Sequence, residues 1–125
     1  MTESELKQRT KDFALRILKL ADALPNTPAG RAIANQIVRC GPSVAANYRA
    51  SCRGRSVAEF ISKLGTVEEE ADESAFWLEL IMDAKLLKHE LVEQLYIEAN
   101  ELTAIFASSI ITARKNKKSP KSSTK

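Results

Sequence analysis

Arg31, Arg39, Arg49 and Arg53 are the residues whose type and spacing suggest chemistry in this sequence. Placed on a helix at about 100° per residue, they fall with Asn35 inside an arc of about 80°. No acid shares that arc. A guanidinium presents a planar fork of donors that fits phosphate or carboxylate oxygens. The chemistry on offer is anion binding, and the plain alternative is a solvated helix face.

The parts for catalysis are missing. His89 is the single histidine and falls at a predicted turn. No Cys-His or His-His spacing fits zinc, no Gly-rich loop could cradle a phosphate, and the carboxylate pairs show no sign of a cleft. We therefore expect no enzyme activity, no metal and no cofactor. Cys40 and Cys52 lie twelve apart on one predicted helix. That separation of about 18 Å is too far to bridge within a chain. Both are expected as reduced, buried thiols acting as small hydrophobes.

The elements that must position the arginines follow from apolar periodicity. The 125 residues suit one domain, and 44% hydrophobic content with four Gly and four Pro suits a packed helical core. Leu6, Phe13, Ile17, Leu20 and Leu24 recur at three- and four-residue spacing from Ser4 to Ala23, with Thr10 filling the missing place. Lys7, Lys11 and Arg16 fall elsewhere on that wheel. Pro25 breaks this first helix; Thr27 and Pro28 supply an N-cap and first turn for the second.

The second helix carries the arginines and poses the main question of topology. Ile33, Ile37, Cys40, Val44 and Tyr48 keep one apolar face across Gly41-Pro42 without a phase slip. A turn with its own loop residues would normally break that register. The reading is one helix from Pro28 to Cys52, kinked where Pro42 removes a donor and crowds the carbonyl of Val38. Two helices joined by a tight turn remain the alternative.

Gly54 then acts as a stop, and Ser56 with Glu59 reads as a capping box. A core stripe of Val57, Ile61, Leu64, Val67, Ala71, Leu78 and Met82 runs to Leu86 or Leu87, about 48 Å of helix. A turn is placed at Lys88-His89-Glu90 on length alone, because an unbroken helix from 56 to 113 would run roughly 87 Å without a partner. Leu91, Leu95, Leu102, Ile105, Phe106 and Ile110 mark the fourth helix. The expected fold is an all-α, antiparallel up-down four-helix bundle over residues 1–113. A basic, disordered tail is expected over 114–125.

Two surfaces exceed what a monomeric bundle needs. Phe76, Trp77, Leu80, Ala84 and Leu87 form a second apolar stripe on the third helix. A helix apolar on two sides is normally buried on two sides, so Phe76, Trp77, Leu80 and Leu87 are assigned to an oligomer interface. The alternative is that Trp77 belongs to the bundle core. Charge is also divided: residues 1–58 carry a net +6, residues 59–113 a net −9, and the last twelve residues +6, for a total of +3. A basic second helix of one copy could meet the acids Glu68, Glu69, Glu70, Asp72 and Glu73 of another, a heterologous contact that can close into a ring. No apolar run is long enough for a membrane span and the first 24 residues lack a signal pattern, which places the chain in the cytoplasm.

Three segments carry a resemblance: "RTKDFALRILKLADALP", "QIVRCGPSVAANYRA" and "AEFISKLGTVEEEADESAFWLEL". Together they resemble the bacterial four-helix bundle family that includes open reading frames in intervening sequences of large-subunit ribosomal RNA genes. The likeness spans roughly residues 9–113 and is most specific at Gln36, Arg39, Ser43, Ala46-Asn47-Tyr48 and Trp77-Leu78. More distantly the chain is similar to the accessory variability protein of diversity-generating retroelements. The resemblance implies a kinked second helix and a homopentamer. Through the distant relative it also implies RNA or DNA, or a nucleic-acid enzyme, as partners.

Two readings of function stand. One is a ring that binds nucleic acid, RNA before DNA, through phosphate contacts of Arg31, Arg39, Arg49 and Arg53, with little sequence specificity. The other is a protein-interaction scaffold whose arginines pair across subunit interfaces. The discriminator is whether those arginines stay free once copies associate.

Overall fold

A computed structural model describes residues 1–118, and these form four α-helices: α1 (Glu3–Ala23), α2 (Pro28–Cys52), α3 (Val57–Asp83) and α4 (His89–Lys118). No strand occurs among the described residues. Each helix packs on its neighbour in sequence, and α1 meets α4 least.

The helix starts are set by side chains that satisfy orphan backbone donors. At α1, Thr2 Oγ1 accepts from the Glu5 amide at 3.1 Å while Glu5 Oε1 accepts from the Thr2 amide at 2.7 Å. The helix so capped begins at Glu3, one residue before the expected start at Ser4. Thr27 caps α2 by accepting from the Gly30 amide at 3.1 Å. At α3 the box is half-formed. Ser56 accepts from the Glu59 amide at 3.1 Å, but the Glu59 carboxylate takes the Arg55 amide at 2.6 Å rather than that of Ser56.

α2 is one helix through Gly41-Pro42, so the register argument holds and the two-helix alternative falls. Close packing explains why a glycine stands beside the proline. A Cβ at Gly41 would lie 2.6 Å from Ile17 Cγ2 and 2.9 Å from Ile17 Cγ1. Gly41 thus lets α1 and α2 approach with Ile17 seated directly on the α2 backbone.

The turn between α3 and α4 is where the expectation moves. α3 stops at Asp83, not at Leu86 or Leu87, and α4 already begins at His89. Lys85 takes the left-handed conformation (φ 57°). The Leu86 amide then reaches back to the Ile81 carbonyl at 3.0 Å and the Lys85 amide to Met82 at 3.1 Å. These two bonds are a Schellman ending with lysine where glycine is usual. At the far end α4 continues to Lys118, so the first five residues of the expected tail are helical. The rest of that tail lies outside the described residues.

The core is built from Phe13, Ile17, Ile37, Val44, Leu64, Leu78, Ile81, Leu102 and Phe106, all fully enclosed. Thr10 fills its place in the α1 stripe with its hydroxyl donated to the Leu6 carbonyl at 2.8 Å. Two expected core residues stand outside. Val57 is the first residue of α3 and is exposed, and Leu91 is exposed on the first turn of α4, where Val92 takes the buried position. Cys40 is buried as expected, but Cys52 is only half-buried.

One ionic clamp ties α1 to α4. Arg9 donates through Nε and one Nη to both oxygens of Glu98, each at 2.7 Å, and to Glu101 at 2.7 Å. Its two ion pairs, with Glu98 and Glu101, are the ones that link helices among the described residues. Such a bidentate, half-buried pair sets geometry as well as energy. It closes one end of the α1–α4 seam and leaves the other end open.

Candidate nucleic-acid interface

All four arginines of the sequence reading are exposed, three on α2 and Arg53 as its C-cap, but the fold divides them. Arg49 and Arg53, one turn apart, face α1, and α1 answers with Lys7 and Lys11 at the same spacing. The four cations line one groove whose floor includes Pro42, Ala45 and Ala46. Small residues there keep the floor low and leave the charged heads on the walls. Lys7 is paired with Glu3 at 3.0 Å, whereas Lys11, Arg49 and Arg53 have no ion-pair partner among the described residues.

Arg39 sits in a different cleft, between α2 and α3. It shares that cleft with Gln36, Ser43, Glu70 and Glu73. The acids that sequence reasoning placed against another copy are in part met by Arg39 of the same chain. Arg31 lies at the start of α2, about 27 Å along the helix from Arg49, and its guanidinium donates to Asn26 Oδ1 at 2.9 Å. The structure therefore joins two of the four arginines into one site and adds two lysines that the α1 wheel had set apart. The signal for them was present: paired i,i+4 cations on both helices flank the Gly41-Pro42 contact.

The α2–α3 cleft has a pH signature. Burial chiefly raises the Glu70 pKa; Glu73 and Glu69 raise it further, and Arg39 opposes them. Because the folded chain holds this proton more tightly than the unfolded chain, stability falls as pH rises from the ordinary value of 4.5 through the raised one. The loss is complete above that window. Glu70→Gln should match the native protein below the window and exceed it at neutral pH in urea midpoint. A stability difference that stays flat across the window would reject this account.

Cys40 offers no nucleophile. Burial pushes its thiol up to about 11, and its sulfur accepts from Ser74 Oγ at 3.3 Å. The thiol is therefore protonated at neutral pH and serves as packing. His89 heads α4 and lies 3.4 Å from Glu93, one turn on.

The four residues assigned to an oligomer interface, Phe76, Trp77 and Leu80 on α3 and Leu87 in the turn that follows it, differ in setting. Phe76 is 53% exposed, while Trp77, Leu80 and Leu87 are half-buried and pack partly on the core of their own chain. The Phe76 and Trp77 rings meet edge-on at 5.1 Å, and Trp77 Nε1 donates to Glu73 at 3.1 Å.

Four packed helices with a groove between α1 and α2 lined by Lys7, Lys11, Arg49 and Arg53 define an all-α helical protein with one cationic seam. The chain belongs to the family described as 23S rRNA-intervening sequence protein, which it matches over residues 2–108. It is also similar to the crystal structure of a protein of unknown function from the S23 ribosomal protein family of Bacteroides thetaiotaomicron. That similarity has a TM-score of 0.80 and 32% identity, covering 88% of this chain and 98% of the other. No curated protein matches the chain. No helix of the described residues is long and apolar enough to cross a membrane.

Proposed function

We propose that this chain is a non-catalytic, cytoplasmic, self-associating helical bundle that binds nucleic acid, RNA before DNA, through phosphate contacts. The observation that carries the reading is the groove in which Lys7, Lys11, Arg49 and Arg53 converge with a single ion-paired acid among them. Short connections at residues 24–27, 53–56 and 84–88 support an antiparallel up-down order, which sets α1 and α2 side by side along the groove. Phosphates spaced along one strand match a row of cations, and the floor presents no aromatic platform for stacking bases. The family's name for its members supports RNA as the polymer. Copies arranged in a ring, a pentamer by resemblance to the family, would repeat the groove and sum its field.

Anisotropy of a labelled RNA hairpin against the full chain, from low to physiological salt, tests this. Affinity should fall steeply with salt. Reversal of Arg49 and Arg53 to Glu should weaken binding at fixed salt by about 30-fold or more and flatten the salt slope by roughly two contacts. Unchanged affinity in that variant would remove the groove from the reading.

One observation favours the scaffold alternative: the outer face of α3 holds acids without ion-pair partners among the described residues. Were Arg49 and Arg53 to pair with those acids across a subunit contact, the same charge reversals would abolish association instead of RNA binding.

A further inference from the structure

The open end of the α1–α4 seam is an apolar groove of about 240 Å³. Leu20, Leu87 and Leu95 line it, and Leu91 stands beside them 64% exposed. Arg16 and Lys19 form the α1 rim. Among the described residues neither cation has an ion-pair partner, and no acid lines the groove. It is thus an apolar slot with uncompensated positive charge along one lip.

The complement of that slot stands on α3. Phe76 projects from a face where Asp72, Glu73, Glu79 and Asp83 are all exposed, and none of the four is in an ion pair among the described residues. The ring meets Trp77 edge-on, and Trp77 in turn donates to Glu73. Phenylalanine is among the aromatics enriched at protein interfaces. Exposed on its own, it wastes apolar area in water.

We propose that the Phe76 face of α3 docks into the α1–α4 groove of a second copy of this chain, with Arg16 and Lys19 meeting the acids around Phe76. The proposal rests on the self-association in the function reading and names its surfaces. Both surfaces exist once on every copy and differ from each other, so the contact is heterologous and propagates from copy to copy. It also reassigns Leu87. The sequence reading set Leu87 beside Phe76 on one interface, whereas here they lie on opposite sides of the same joint. The groove of Lys7, Lys11, Arg49 and Arg53 shares no lining residue with either surface.

Light scattering after gel filtration of the full chain tests the joint, with far-UV circular dichroism to confirm that each variant is folded. The native chain should be oligomeric at micromolar concentration. Phe76→Glu, and separately Arg16→Glu with Lys19→Glu, should each run as monomers, with self-affinity weakened by about 30-fold or more. An equimolar mixture of the two variants should form one-to-one dimers and nothing larger, because one intact knob then meets one intact groove. A monomeric native chain would overturn both the self-association and this joint. An oligomer untouched by either variant would overturn the joint while leaving self-association standing. Variants that dissociate but do not pair when mixed would overturn the knob-in-groove geometry.

Discussion

Phe106→Ala will remove about 4 kcal/mol of stability, within the usual range for truncating an enclosed phenylalanine. The ring is fully buried on α4 and meets Tyr48 of α2 with centroids 5.5 Å apart and planes tilted by 42°. Deleting it costs the transfer of the ring and leaves a cavity that α2 and α4 cannot collapse without moving the helices. Tyr48 would lose its partner while staying buried, and burial already lifts its phenol above the ordinary range. Since a domain of this kind holds about 5–15 kcal/mol in total, the variant sits near the edge of folding. Urea unfolding reads the effect directly: the midpoint should fall with the slope unchanged. Phe106→Leu, which keeps most of the volume, should cost less than half as much. A loss below about 1 kcal/mol for the alanine variant would mean that α2 and α4 do not share a packed core at this level.

Gly30→Ala is the second large effect, and its sign opposes the ordinary expectation. Within a helix, alanine is better than glycine by about 1 kcal/mol. At Gly30 the added Cβ would overlap the Pro25 carbonyl oxygen, with the Pro25 carbonyl carbon at 3.0 Å and ring Cγ at 3.2 Å. That oxygen also accepts the Thr27 amide at 2.9 Å, and Thr27 in turn caps α2 through the Gly30 amide. Moving Pro25 aside therefore loosens the cap that starts the helix. A backbone collision in a tight turn outweighs the propensity gain, and the net loss should be about 2–3 kcal/mol. Gly65 is the internal control. A Cβ there meets nothing within 4 Å, so Gly65→Ala should stabilise by about 0.5–1 kcal/mol. Melting temperatures of the two variants should move in opposite directions. A shared direction would show that propensity, and not the turn geometry, governs both sites.

The RNA and association experiments bear on one another through charge. The groove cations and the rim cations belong to different seams of the bundle, so their reversals should separate the two activities. Loss of RNA binding in the Arg49/Arg53 variant with its oligomer intact would support the nucleic-acid reading over the scaffold. Loss of both together would reverse that preference.

What the sequence by itself determined was the set of helices and most of their ends. Apolar spacing of three and four residues needs no partner to be read, because it follows from the helical period. The unbroken face from Ile33 to Tyr48 was enough to carry α2 through Pro42, and Thr27 with Pro28 marked its start. The α3–α4 turn was expected a few residues too late, at Lys88-His89-Glu90, for a local reason: Lys85 adopts a conformation that glycine usually announces. The composition of the groove was beyond the sequence for a different reason. A helical wheel says which way a side chain points on its own helix, not what the neighbouring helix brings opposite. Packing α1 on α2 through Ile17 and Gly41 joined Lys7 and Lys11 to Arg49 and Arg53. Packing α3 on α2 drew Arg39 away to Glu70. Arg9 and Glu98, 89 positions apart, became partners only when α4 closed on α1. Such pairings are set by where whole helices come to rest against each other, and only the tertiary structure decides that.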